Sequence, residues 1–370
     1  MNDIFVPSRT PLEVLTGHRV TGFTYELLDR SGGVVDVLTG AQDGGSLTWA
    51  ANQAVKGRGS MPYIFDRQQV PWESCRIKVS VTVESASGNG EVTWGLGVWV
   101  PNIPKWTDRE VGSFATINLL SREALLERVR KPYGYGLAAG TPIVAAIRDL
   151  IIDAGEPPGA LTDSDAVLAA DRAWPPGTSV LSIINDLATA GGYFSLYSDE
   201  EGQYRLSPAI RPSARARAWD FIGARAIYRR DVERELDLSS VPNVLIAIQQ
   251  AAGEEPALVA VARNDDPEDP LSTVNRGEVS LEPEIVDAAS QEVLDAYASR
   301  RLAALRNATA RVVVEHALVP LRVNDTARFP VRDRATGVDE IKLHTVFQTT
   351  ATLSPTALAK TTLQEVVIDG

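Results

Sequence analysis

Arg76-Ile-Lys-Val-Ser-Val-Thr-Val-Glu-Ser85 and, beyond a turn, Glu91-Val-Thr-Trp-Gly-Leu-Gly-Val-Trp-Val100 decide the fold class. In the first run Ile77, Val79, Val81 and Val83 alternate with Lys78, Ser80, Thr82 and Glu84. In the second, Val92, Trp94, Leu96, Val98 and Val100 keep the same spacing. Successive strand side chains point to opposite faces. Period two on both sides of Ser85-Ala-Ser-Gly-Asn-Gly90 therefore predicts a long antiparallel hairpin with one face buried.

The N-terminal side repeats this grammar. Phe23, Tyr25 and Leu27 alternate with Thr24 and Glu26, then Asp29-Arg-Ser-Gly-Gly33 turns the chain into Val34-Val-Asp-Val-Leu38. Two such runs about a glycine-containing turn predict a second hairpin.

On the C-terminal side, from about Ser121, helices mix with short strands. Thr141-Pro142 offers a cap and a first-turn proline for a helix over residues 141–154, with Ile143, Ile147, Leu150 and Ile151 on one face and Gly155 as its stop. A second helix is expected over 178–190, capped by Thr178, lined by Leu181, Ile184 and Leu187, and ended by Gly191-Gly192. A hairpin over 193–206 follows, turning at Ser198-Asp-Glu-Glu-Gly202. Further strands are expected at Asn243–Gln249, Pro256–Val261, Ala310–Leu318, Thr326–Pro330 and Ile341–Leu353. A helix over 287–306 carries Leu294, Ala298, Leu302 and Leu305 on one stripe, with Arg300, Arg301 and Arg306 near its C-terminus, where cations suit the helix dipole.

The 370 residues suffice for two or three domains, and 44% hydrophobic with 23% charged residues is the mix of a globular protein. The apolar run Asn243–Ile248 is far too short to span a bilayer. Met1-Asn-Asp-Ile-Phe-Val6 has neither a basic n-region nor an apolar h-region, so folding in the cytoplasm of the producing cell is expected. The net charge of −12 argues against a protein that grips nucleic acid by neutralising phosphates, though not against one that nucleic acid slides past.

No residue set carries recognisable chemistry. His18, His316 and His344 fall in no metal-binding spacing, and alternation puts Glu315 and His316 on opposite faces. Nucleophile-elbow, P-loop and dinucleotide signatures are absent. Cys75 reads as a small apolar filler. The acidic groups Asp199-Glu-Glu201 and Asp265, Asp266, Glu268 and Asp269 read as solvated loop charge, and the tryptophans as core or interface residues. The expectation is no enzyme: no catalytic, cofactor-binding or metal residue is nominated, and no cofactor.

Several stretches resemble the minor tail or tail-hub proteins of long-tailed actinobacterial phages, within the wider baseplate-hub family. They are Phe23-Thr-Tyr-Glu-Leu-Leu-Asp-Arg30 with Ser31-Gly-Gly33; Gly45-Ser-Leu-Thr-Trp-Ala50 with Val55-Lys-Gly-Arg-Gly-Ser60; and Trp94-Gly-Leu-Gly-Val-Trp-Val-Pro101. The most characteristic block is Trp174-Pro-Pro-Gly-Thr178, Ile183-Ile-Asn-Asp-Leu187, Gly192-Tyr-Phe-Ser-Leu-Tyr197 and the Asp199–Gly202 turn. Val241-Pro-Asn-Val244, Asn264-Asp-Asp-Pro267 and Ser299-Arg-Arg-Leu302 complete the match in order. Leu321-Arg-Val-Asn-Asp325 departs from it, standing where a Pro-Gly-Asp turn would be expected.

The resemblance implies a β-rich α+β fold with two tail-tube-like antiparallel β-barrels and an inserted α+β domain. Residues 1–118 would form the first barrel, 119–212 the insert and 213–370 the second β domain, with some strands exchanged between them. It also implies a structural homotrimer at the virion's tail tip, assembled in the host cytoplasm, adapting a six-fold tube to a three-fold tip around a DNA exit channel. Implied partners are a distal tail or tail tube protein, a tape measure protein and tip or fibre proteins, with DNA only in transit and no integral membrane segment. The alternatives are a hexameric distal tail protein and a tip-associated cell-wall hydrolase.

Overall fold

A computed structural model describes residues 12–65, 68–86, 90–102, 106–110, 112–236, 241–249, 257–286, 290–306, 310–332, 336–356 and 358–366. A short helix α1 (Leu12–Thr16) leads into strands β1 (Arg19–Leu28), β2 (Val34–Val37), β3 (Gly45–Ala50), β4 (Gly57–Phe65), β5 (Arg76–Ser85), β6 (Glu91–Asn102), β7 (Trp106–Arg109) and β8 (Gly112–Ser121). Their ladders run β3-β4-β8-β6-β5-β1-β2, with β7 beside β8.

The hairpin expected around Ser85–Gly90 is β5–β6, and Ile77, Val79, Val81 and Val83 are all wholly buried. Residues 87–89 of its turn lie outside the described residues. On β6 the expected phase holds only to Leu96. The register slips between Lys78 and Ser80, which pair Val98 and Gly95, so β6 carries one extra residue there. Gly97, at φ +104°, occupies that bulge. Beyond it the inward phase changes from even to odd: Val92, Trp94, Leu96 and then Trp99 join the core. Val98 and Val100 are buried on the opposite side. The expectation of one buried face is thus corrected, since β6 is covered on both.

After β8 come α2 (Glu123–Arg128), β9 (Tyr135–Leu137), α3 (Ile143–Asp153), β10 (Ala160–Leu161), β11 (Arg172–Trp174), α4 (Val180–Ala190), β12 (Tyr197–Ser198) and β13 (Tyr204–Leu206). The predicted helix faces are the buried ones: Ile143, Ile147, Leu150 and Ile151 on α3, and Leu181, Ile184 and Leu187 on α4. Their caps differ from the reading by a residue. Ser179, not Thr178, accepts the Ser182 N–H, while the hydroxyls of Thr178 and Thr141 donate to the Pro175 and Ala138 carbonyls. Gly155 and Gly192, at φ +80° and +73°, end the two helices in the left-handed conformation expected of them.

The remaining elements are β14 (Arg217–Asp220), β15 (Glu233–Leu236), β16 (Val244–Gln249), β17 (Val259–Arg263), α5 (Thr273–Arg276), β18 (Glu284–Val286), α6 (Gln291–Arg306), β19 (Ala310–His316), β20 (Thr326–Arg332), β21 (Asp339–Leu353) and β22 (Ala359–Glu365). Pro256 of the expected strand and residues 287–289 of the expected helix lie outside the described residues. Strands β15-β19-β22-β21 with β20 and β14 form the second half of the large sheet, while β17-β16-β18 make a separate small sheet under α6.

The two halves are continuous. One edge of β21 pairs β20 over 339–345 and β3 over 348–353. A hydroxyl contact of 2.9 Å between Thr48 and Thr350 lies on the second ladder. A single hydrophobic cluster takes Ile77, Val81 and Ile117 from one half and Val314, Phe329 and Leu363 from the other. The fold is therefore β-rich with few helices and large antiparallel sheets. Closed barrels are not formed among the described residues: the path of paired strands ends at β2 and β15, because the β3 edge that a first ring would need is taken by β21.

The bulge gives a test. Any side chain at Gly97 must adopt a left-handed backbone at a cost of about 1–3 kcal/mol. Gly97→Ala should lower stability by that amount in urea denaturation. Gly22→Ala, with ordinary φ and open space around the new Cβ, should change it by less than about 0.5 kcal/mol.

Candidate functional site

His316, His344 and Cys75, weighed above and nominated for no chemistry, are buried in separate places. His316 is buried, its Nδ1–H donating to the Ala317 carbonyl and its Nε2 accepting the Thr361 hydroxyl, both at 2.8 Å. Burial pushes its pKa down to about 4. His344 donates to the Lys342 carbonyl at 3.1 Å, and burial lowers it too. Burial raises the Cys75 thiol to about 11, which removes the thiolate a nucleophile needs. Among the described residues, no three or more His, Cys, Asp or Glu side chains gather as a metal site. Asp265, Asp266 and Asp269 accept hydrogen bonds from their own loop, at Thr273 Oγ1, Glu268 N and Leu271 N. The tryptophans act mainly as packing groups: Trp94, Trp99, Trp174 and Trp219 are buried, and Trp106 is exposed.

The structure gathers charge instead at a joint where the α+β insert meets both halves of the sheet. The Asp199–Gly202 tip, read from sequence as solvated, is part of it. That reading is corrected for Asp199 and Glu200, while Glu201 keeps a side chain 54% exposed. Asp199 turns inward onto Arg205 Nε at 2.6 Å and accepts the Gln203 N–H. Glu200 pairs Arg322 of the second half, and Glu201 pairs Lys78 of β5 at 2.5 Å. A Cβ at Gly95 would stand 2.7 Å from the Glu200 carbonyl oxygen, and one at Gly202 would stand 2.6 Å from Val98 Cβ. Glycines on both sides thus let the tip lie directly on the outer face of β6.

Beneath the tip is a buried ionic group. Glu156, just past the α3 stop, is only 5% exposed in its side chain and pairs Arg76 at 3.5 Å and Arg122 more closely. Arg122 also donates to the Gly202 carbonyl at 2.7 Å and lies 5.0 Å over the Tyr204 ring. The Tyr204 hydroxyl returns a hydrogen bond to the Arg122 carbonyl at 2.9 Å. Glu123 is wholly buried and accepts the Ser198 N–H at 2.5 Å. Burial raises its carboxyl above the ordinary range, and its Oε2 has no hydrogen-bond partner among the described residues.

On the far side of Glu200 lies the Arg322–Asp325 turn. Its third residue, Asn324, is at φ +68°, which asparagine tolerates better than most side chains. This is how the chain makes its turn without the expected Pro-Gly-Asp. Asp325 accepts the Arg322 N–H at 2.8 Å, and burial raises its carboxyl to about 6 against the opposing pull of Arg322. Arg215 donates to the Asn324 carbonyl at 2.7 Å and stacks 4.7 Å over Phe194, tying the insert to the second half. Chemically the arrangement binds modules together; it offers no aligned nucleophile and base.

The sequence reading missed Arg76, Arg122, Glu156, Arg322 and Asp325. A signal existed, since Arg122 follows the apolar strand Ile117–Ser121 and Glu156 follows a helix stop. Single charges at the ends of apolar runs are common, however, and only tertiary packing brings these together.

Two outcomes follow. Glu156→Ala should cost about 3–5 kcal/mol, because two buried guanidiniums lose their counter-charge; it should appear in urea denaturation as early loosening of the insert. Asp325 holds its proton up to about pH 6 when folded and to about 3.8 when unfolded. Its burial therefore costs stability as pH rises through that window, while His316 opposes it by losing stability as pH falls from 6.5 towards 4. Asp325→Asn keeps the acceptor and removes the charge. Its stability advantage over the wild type should grow on passing from the acid to the neutral side of the window.

No protein-family model and no curated protein matches the sequence. Solved structures do. A tail protein from Neisseria meningitidis superposes with a TM-score of 0.62 at 12% identity, covering 93% of this chain and 96% of its own. The 43 kDa tail protein of prophage MuSo2 from Shewanella oneidensis gives 0.55 at 12% identity, over 93% and 98%. A prophage tail protein from Listeria monocytogenes gives 0.54 at 11% identity, over 92% and 94%. Over more than nine-tenths of its length, the chain has the fold of these tail proteins.

Proposed function

We propose that the chain is a structural tail hub, three copies of which form a ring at the tail tip. The ring adapts a six-fold tube to a three-fold tip and leaves a channel through which DNA passes. The observation that carries this reading is the likeness to tail proteins over more than nine-tenths of both chains in each comparison. The docked Asp199–Gly202 block supports it against the distal tail protein, a role that does not call for the helix–hairpin insert. Neighbours in the virion would be a tube or distal tail protein, a tape measure protein and tip or fibre proteins, with assembly in the host cytoplasm.

The reading includes no substrate turnover. The net charge of −12 suits a wall that DNA passes without sticking, because adhesion requires phosphate neutralisation. The Asp199–Glu201 carboxylates are committed to the joint, so any such repulsion comes from other acidic groups.

Mass measurement of the purified assembly is the direct test, with a three-copy ring as the expected result. The same ring should leave host cell walls uncleared in a zymogram. Six copies would establish the distal tail reading, and clearing that survives purification would establish the hydrolase.

A further inference from the structure

Among the described residues, the small β17-β16-β18 sheet is packed by α6 on one side. Leu245, Ala247, Ala260 and Ala262 face α6, where they meet Leu294, Ala298 and Leu302. The opposite face carries Ile246, Ile248, Val259, Val261 and Ile285. Ile246 pairs Val261, Ile248 pairs Val259, and Ile248 also pairs Ile285, so the five side chains form one contiguous apolar surface. Val259, Val261 and Ile285 are 50%, 53% and 73% exposed. A bare aliphatic face of this kind marks an interaction surface.

Charge indicates what covers it. The described residues between 241 and 286, which hold this sheet, include seven carboxylates and two arginines, and Arg263 is already paired with Glu278 and Asp265. Two such acidic modules would repel each other face to face. Residues 211–234 are the reverse, with seven arginines and three carboxylates in a chain of net charge −12. Arg211, Arg217 and Arg230 there are exposed, with Ile210 44% exposed beside them, while Arg229 pairs Glu315 and Arg225 lies 5.9 Å over the Trp219 ring. The two segments are opposite in charge and sit on one chain, as a head-to-tail contact between copies requires; such a contact forms a ring when its rotation closes.

We infer that the open Ile246–Val261–Ile285 face receives the arginine-rich 211–234 segment of a neighbouring copy. This rests on the ring proposed above and names its contact. The exposed positions allow substitution without disturbing a core.

The full-length chain would be compared by sedimentation equilibrium with Val261→Asp/Ile285→Asp and with Arg211→Glu/Arg230→Glu, after circular dichroism and thermal melts establish that all three fold alike. The wild type should form the ring, and each variant should raise the dissociation constant about tenfold or more. Mixing the two variants should stop at a dimer, because only one competent junction exists between them. Higher salt should weaken the wild-type ring. Variants that assemble like the wild type would overturn the contact and leave the ring intact. A full ring from the mixture, or loss in one variant only, would also overturn it. A wild type that stays monomeric would remove the ring and the contact together.

Discussion

The structure depends on β6 being buried on both faces. Its inner face belongs to the shared core, its outer face receives the insert, and a single bulged residue separates the two demands. A strand with strict alternation presents one apolar face, and whatever covers the other must tolerate polar groups. The extra residue at Gly97 puts Trp99 into the core and leaves Val98 on the outside, where Gly202 of the insert lies against it. Gly95 removes the remaining side chain that would hold the tip away. Three glycines thereby decide whether the insert is docked or tethered.

Charge then fixes the docked position. Apolar contact alone between a hairpin tip and a strand is weakly directional, and sliding by a residue would cost little. The Arg76–Glu156–Arg122 group and the Glu200–Arg322 and Glu201–Lys78 pairs each join different segments, and few registers satisfy them all. Buried pairs are poor sources of net stability because desolvation offsets their attraction. Their effect here is geometric: a displaced insert would leave guanidiniums and carboxylates buried without partners.

These two levels explain what could be read from sequence. The alternation of β5 and the faces of α3 and α4 were legible because each depends only on local period and burial. The phase of β6 beyond Leu96 was not, since a glycine in an apolar run leaves a bulge and a regular strand equally open. Strand β22 also escaped notice: its inward positions Ala359, Thr361 and Leu363 include a threonine whose buried hydroxyl meets His316 and Thr349. The acidic tip was misread for a related reason, because a charged turn between two strands looks solvated until its counter-ions arrive from Lys78 and Arg322.

The shared core adds a mechanical consequence. Because β21 spans both halves and one hydrophobic cluster fills them, moving one half against the other would break the β3–β21 ladder and expose that cluster together. The insert and the small sheet under α6 have clusters of their own and meet the large sheet through charged or partial contacts. Variation in shape between bound and free forms should therefore concentrate at the Arg76–Glu156–Arg122 joint and around the small sheet, while the fused β-body moves as a unit. This division assigns rigidity to the sheet and adaptable contact to the two α+β modules.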